Sequence, residues 1–198
     1  GWLDFRFVKI QIVTWNMQGK SAPPRESIEK FVSHVDSQHI FVFGAQECER
    51  SITSSFLFRS KQNWETVLQE LVGESYEVLA SSTLVATHCI VFVHKDIRPY
   101  ITDITTSEVA TGFLNGTMGN KGCASVSFKI AEDSFMFICS HLAAHQNNVE
   151  QRNAHYFKII NEVDYKIRKD APTEDQQSNS KRASRDNFDR SSESSQII

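Results

Sequence analysis

A basic excess, long apolar runs and paired cysteine motifs are all missing from this chain. Lysine and arginine number 21 against 24 acidic residues, for a formal net charge of −3 at pH 7. Nucleic-acid-binding domains usually carry a basic excess, so this balance speaks against nucleic acid as a partner. It leaves room for a local basic pocket, because a small anion needs only a few cations. No segment approaches the roughly 18 apolar residues of a membrane-crossing helix. No signal-peptide pattern is visible. The expectation is a cytoplasmic protein that would touch membranes only from outside. The four cysteines are Cys48, Cys89, Cys123 and Cys139, with no C-x-x-C pair and no zinc pattern. They read as free, partly buried thiols in a reducing compartment.

What is present fits one globular domain. The chain has 198 residues, 40% hydrophobic and 23% charged, enough for a real core. Residues 7–15 alternate apolar and polar side chains, the period of a half-buried strand, and end in Trp15-Asn16. Residues 25–35 place Ile28, Phe31, Val32 and Val35 at helical spacing. The continuous apolar run Ile40–Phe43 suits a strand buried on both faces and leads into Gln46-Glu47. Trp64, Val67, Leu68, Leu71 and Val72 mark an amphipathic helix stopping near Gly73. Strands are expected over 76–80, 89–93, 100–109, 123–130 and 135–139, with a glycine-rich loop at 111–122. A longer helix follows His141, carrying Val149, Tyr156, Ile160, Val163 and Ile167. The pattern divides the chain into an α/β domain over 1–172 and a Ser-rich tail or inserted loop over 173–198. That second stretch has too few apolar residues to offset its ordering entropy.

Several polar residues stand where strands run out, a usual place for a site. Glu47 ends a buried strand, where a carboxylate must be paired, hydrated or metal-bound. A hard cation such as magnesium needs only one or two carboxylates plus waters. Asn16 is either a turn former or an amide that orients a phosphate or a metal-bound water. His141 and His145 are four apart, which on a helix would share one face as in zinc sites, yet the H-E-x-x-H glutamate is missing. A single imidazole donating to an anion is the better reading. Gly119-Asn120-Lys121-Gly122 has the type of an anion-binding loop but not the P-loop order; the alternative is a strand connection with an exposed lysine.

In order, Thr14-Trp15-Asn16-Met17, Gly44-Ala45-Gln46-Glu47, Thr111-Gly112 through Met118-Gly119-Asn120-Lys121-Gly122, and Ser140-His141-Leu142-Ala143-Ala144-His145 resemble the inositol polyphosphate 5-phosphatases. Arg152-Asn153, Tyr156, Trp64 and Ile90–Lys95 extend the likeness over most of residues 7–168. The Asn and Gln-Glu motifs are shared with deoxyribonuclease-like nucleases. The resemblance implies a four-layer α/β sandwich of the endonuclease/exonuclease/phosphatase type, represented here by about its first half. It implies removal of the 5-phosphate from inositol phosphates or phosphoinositide lipids by in-line attack of water. Glu47 would hold Mg2+, with Asn16 beside it. His141 would stabilise charge on the phosphate. Asn120, Lys121 and, with less force, His145 would contact the head group. The family's later Gly-Asp-x-Asn, Trp-Cys-Asp-Arg-like and Asp-His motifs do not occur in the sequence. These 198 residues are therefore expected to be inactive by themselves. The alternatives are a truncated, non-catalytic protein that binds head groups or a partner, and a nuclease of the same fold.

Overall fold

The computed structural model describes residues 7–32, 35–48, 61–112 and 121–170. The chain divides into compact units Gly1–Ile167 and Arg168–Ile198, and only the first three residues of the second are described. Residues 173–198 therefore lie outside the described residues, as does Asn120.

The first unit opens with strand β1 (Ile10–Asn16), short helix α1 (Arg25–Ile28) and strand β2 (Ile40–Gln46). Helix α2 (Gln62–Val72) follows, then β3 (Tyr76–Leu84) and β4 (Thr87–His94). Strands β5 (Ile101–Ala110), β6 (Gly122–Ile130) and β7 (Asp133–His141) precede helix α3 (Val149–Asp170). Two sheets result, ordered β1-β2-β4-β3 and β5-β6-β7. The first is mixed, because β1 runs parallel to β2 while its other pairs are antiparallel. The described strands of the second are all antiparallel.

Side-chain alternation along the central strands builds the layers. On β2, Phe41 and Phe43 join Ile90 and Phe92 of β4 beneath Trp64, Leu68, Leu71 and Val72 of α2. Ile40 and Val42 point the other way. They meet Val91 and Val93 of β4 and Ala124, Val126 and Phe128 of β6, forming the core between the sheets. The outer face of the second sheet gives Val109 and Cys123 to Ile159 and Val163 of α3. Helix, sheet, sheet and helix stack in that order, the four-layer α/β sandwich that the motifs imply. No described helix is long and apolar enough to cross a membrane.

One expected element is broken. Among the described residues, the helical spacing over 25–35 yields the single turn of α1, a 3-10 turn at Glu29–Phe31 after which Val32 is extended, and a further 3-10 turn that begins at Val35. A single isolated turn carries a nucleation cost that few hydrogen bonds offset. Tertiary contacts decide the backbone instead. Gln11 Nε2 donates to the Phe31 carbonyl at 3.0 Å, and the Phe31 ring meets Trp15 edge-on at 5.1 Å. Ile28 and Val32 are buried as the spacing predicts, but Phe31 is 55% exposed.

Candidate active site

Three strand ends converge. In parallel register, Asn16 closing β1 lies beside Gln46 closing β2, and Glu47 follows at once. His141 closes β7 in the other sheet, paired with Gly122 of β6. Asn16 Nδ2 donates to Glu47 Oε1 at 3.2 Å. His141 Nε2 stands 3.5 Å from the same oxygen. Lys121 Nζ lies 2.6 Å from His141 Nε2. Asn16, Glu47, His141 and Lys121 thus form one contiguous polar series drawn from both sheets.

The backbone around Glu47 is held in an unusual shape. Glu47 has φ 53°, in the left-handed region that costs a side-chain-bearing residue roughly 1–3 kcal/mol. Its neighbours fix that shape from several sides. The Glu47 carbonyl accepts from Gly19 N at 2.8 Å, and Cys48 N donates to the Ala86 carbonyl at 2.9 Å. The Cys48 carbonyl accepts from the buried Lys61 ammonium at 2.7 Å. Asn16 is likewise tied by a local turn, its Oδ1 accepting from Gln18 N at 2.9 Å. The chain is turned here so that the carboxylate faces outward from a strand otherwise buried along its length. Strain over-determined in this way is characteristic of functional sites.

The arrangement fits a hard cation. Glu47 keeps 31% of its side chain exposed, leaving room for the several waters that magnesium retains. Among the described residues no three His, Cys, Asp or Glu side chains cluster as a metal cage. The Glu47 carboxylate is an oxygen ligand suited to magnesium or calcium, and the Asn16 amide, whose Oδ1 accepts from Gln18 N, orients it through Nδ2. His141 and His145 do not share a helix face, because β7 ends at His141 and α3 begins only at Val149. His145 is exposed at φ 71°, and its carbonyl, not its ring, is engaged, accepting from Arg152 Nη1 at 2.6 Å. Among the described residues the His145 ring is not drawn into the polar series.

Some contributors are silent in the sequence. His155 on α3 is buried, and burial first, then the charges of Lys121 and Lys158, lower its pKa. A neutral imidazole thus backs the lysine. Nothing in a lone histidine on an amphipathic helix separates this role from ordinary packing. Arg152 also binds the carbonyls of Ala143 and Gln146, at 3.3 and 3.2 Å, and so ties down the loop after His141.

The model of endonuclease/exonuclease/phosphatase family 2 matches residues 13–189.

The chain belongs to the endonuclease/exonuclease/phosphatase family.

Synaptojanin-2 of Rattus norvegicus is 29% identical over 185 residues, covering 82% of this chain and 12% of that protein. The human phosphatidylinositol polyphosphate 5-phosphatase type IV is 29% identical over 160 residues, 78% of this chain and 23% of its own length. Among solved structures, the inositol polyphosphate 5-phosphatase domain of SPsynaptojanin, crystallised with inositol (1,4)-bisphosphate and calcium, superposes with a TM-score of 0.66. It is 29% identical, with 77% of this chain and 45% of that one covered. The chain thus spans less than half the length of these relatives. A ferrous nitric oxide complex of Cimex nitrophorin also matches, with a TM-score of 0.52 at 15% identity over 71% of this chain and 50% of that one. That likeness shows the fold alone, and one fold of this family can serve unrelated chemistries.

Proposed function

We propose that this chain forms part of an inositol polyphosphate 5-phosphatase, hydrolysing the 5-phosphate of inositol phosphates or phosphoinositide head groups. The observation that carries the proposal is the series Asn16–Glu47–His141–Lys121. It sets an oxygen ligand for a cation against two nitrogen groups able to meet a phosphate. Family relatives named for 5-phosphatase activity and a solved relative holding an inositol bisphosphate support the substrate class.

In this reading Glu47 holds Mg2+, and Asn16 fixes the orientation of the Glu47 carboxylate. When bound, the cation would neutralise phosphate charge and support the leaving oxygen. Lys121 brings positive charge to the head group, and His141 offers a hydrogen bond to a phosphate oxygen. Donors of this kind stabilise the charge that develops during phosphoryl transfer. Asn120 would extend the same surface, and His145 would contribute only if its loop moved. The Gly-Asp-x-Asn and late Asp-His motifs do not occur among the 198 residues. We therefore assign these residues head-group and cation binding, with turnover requiring groups they do not contain. Lipid substrates would be met from the cytoplasmic side of a membrane.

Phosphate release from phosphatidylinositol 4,5-bisphosphate and from soluble inositol trisphosphate, with magnesium, tests the reading. The chain is compared with a longer form carrying the remaining family motifs. Activity in the longer form that is lost with Glu47→Gln or His141→Ala is the expected result. A longer form that folds normally and is inert on every 5-phosphorylated inositol would leave a binding role as the better account.

A further inference from the structure

The site is assembled from two sheets, so its geometry depends on how those sheets are held against each other. Asn16 and Glu47 belong to the first sheet and His141 to the second. Directly beneath them lies a second set of three residues, one on each strand. Thr14 is two residues before Asn16, Gln46 one before Glu47, and Cys139 two before His141. Gln46 Nε2 donates to Thr14 Oγ1 at 3.1 Å and to Cys139 Sγ at 3.1 Å. Cys139 Sγ in turn donates to the Ala45 carbonyl at 3.6 Å. A single side-chain amide therefore joins β1, β2 and β7 one layer below the candidate chemistry.

A second observation points to the same link. Gly44 lies opposite Thr14 in the β1–β2 register. A Cβ at Gly44 would meet Cys139 Sγ at 3.0 Å and Cys139 Cβ at 3.3 Å, with Thr14 Oγ1 at 3.7 Å. The bare backbone is what lets β7 approach β2 closely enough for the amide to span them. A groove of about 220 Å³ borders the cluster, lined in part by Thr14, Gly44, Met136 and Cys139. With open space alongside, close packing alone does not fix these side chains, and directed hydrogen bonds take that task.

We propose that Thr14, Gln46 and Cys139 are positioning residues that set the register of Glu47 and Asn16 against His141 across the two sheets. The proposal rests on the assignment of Glu47 as the cation ligand. Partners one shell out from a ligand typically govern metal affinity by 10–100-fold, because they orient the groups that bind. Gln46 acts on Glu47 through one peptide unit, and Cys139 acts on His141 through two.

The test is Mn2+ binding to the full 198-residue chain, followed by electron paramagnetic resonance of the free ion, with thermal melting measured alongside. The variants are Gln46→Met, Cys139→Ala, Cys139→Ser, Thr14→Val, Gly44→Ala and Glu47→Gln. Gln46→Met and Cys139→Ala are expected to weaken Mn2+ binding by about 10-fold or more while the melting temperature changes little. Cys139→Ser keeps an acceptor for the Gln46 amide and recovers most of the affinity. Thr14 is exposed, so Thr14→Val folds and still reports on the link, and Gly44→Ala perturbs the same link from the backbone. The proposal fails if Gln46→Met and Cys139→Ala bind as the unsubstituted chain does while Glu47→Gln has lost binding. It also fails if affinity falls only in step with melting temperature. If Glu47→Gln binds like the unsubstituted chain, or neither binds, the cation assignment falls first and takes the positioning role with it.

Discussion

Lys121 Nζ lies 2.6 Å from His141 Nε2, and an ammonium has no lone pair to offer, so the imidazole nitrogen is the acceptor. The same nitrogen stands 3.5 Å from Glu47 Oε1 and cannot donate to it in this tautomer. A phosphate oxygen arriving at this point competes for the ammonium and leaves Nε2 able to carry a proton toward it.

It follows that Lys121→Met weakens binding of inositol 1,4-bisphosphate by the chain. Loss of one charge-assisted hydrogen bond costs about 1.5–3 kcal/mol, which is roughly 10–100-fold in affinity. Calorimetric titration reads it directly. Unchanged affinity would remove Lys121 from the head-group surface.

Glu47 sets stability against function. At φ 53° a glycine suffers no side-chain penalty, so Glu47→Gly is expected to match or exceed the parent chain in melting temperature. The relief is about 1 kcal/mol, the lower end of the strain such residues hold. The same variant loses the candidate carboxylate and with it cation binding. A melting temperature lowered by several degrees would show that the left-handed turn is not strained by the side chain.

Much of this fold can be read along the chain because burial repeats with a short period. The run Ile40–Phe43 is apolar throughout since odd residues face α2 and even residues face the second sheet. The strand-end positions of Asn16, Glu47 and His141 follow from the same patterns. What joins them does not. Gln46 and Cys139 are 93 residues apart, and no local pattern shows that their side chains meet. The expected helix at 25–35 is interrupted for a related reason, since Gln11 and Trp15 contact Phe31 from strand β1.

Gly122 shows how a motif residue can answer to a different physical cause. In the sequence its place beside Lys121 suggests close backbone approach to an anion. In the fold it has φ 146°, and a Cβ there would meet the Val109 carbonyl at 2.1 Å and Leu84 Cδ2 at 2.5 Å. The glycine is needed where β6 enters the sheet between Ala110 and His141. Gly122→Ala is expected to destabilise by about 3 kcal/mol or more, combining overpacking with an unfavourable φ. Urea denaturation checks this, and a loss below about 1 kcal/mol would contradict the packing account.

The four cysteines are free and buried, as their apolar surroundings suggest. Burial is the main force pushing the thiol of Cys89 up to about 12 and those of Cys123 and Cys139 to about 11. At pH 8 very little of Cys139 is then thiolate, and the thiolate is the reactive form. A disulfide reagent at pH 8 should label these three slowly in the native chain and quickly in denaturant. Rapid native labelling of Cys139 would mean that the contact between the sheets opens readily.

The inner strand β4 carries an acid-sensitive tie, at His88 opposite Ala45 of β2. His88 is fully buried, its Nδ1 is 2.7 Å from Thr83 Oγ1, and its Nε2 is 3.2 Å from Glu65 Oε1 on α2. The hydrogen bond from His88 lowers the pKa of Glu65 below its usual 4.5, against an opposing push from burial. A carboxyl whose folded pKa is depressed binds fewer protons folded than unfolded, so stability rises with pH through that window. Its contribution is fully present above about 4.5, the unfolded value, and drains away as pH falls through the lowered folded value. Glu65→Gln should therefore lower stability at pH 7 and flatten the acid limb of the stability curve. Because a third of the Glu65 side chain is exposed, solvent screening keeps the charge part of the effect small. Denaturant midpoints between pH 3 and pH 7 for the two chains measure the difference. Parallel curves would mean that α2 is held to the sheet by Trp64 and Leu68 packing alone, with no share from the His88–Glu65 contact.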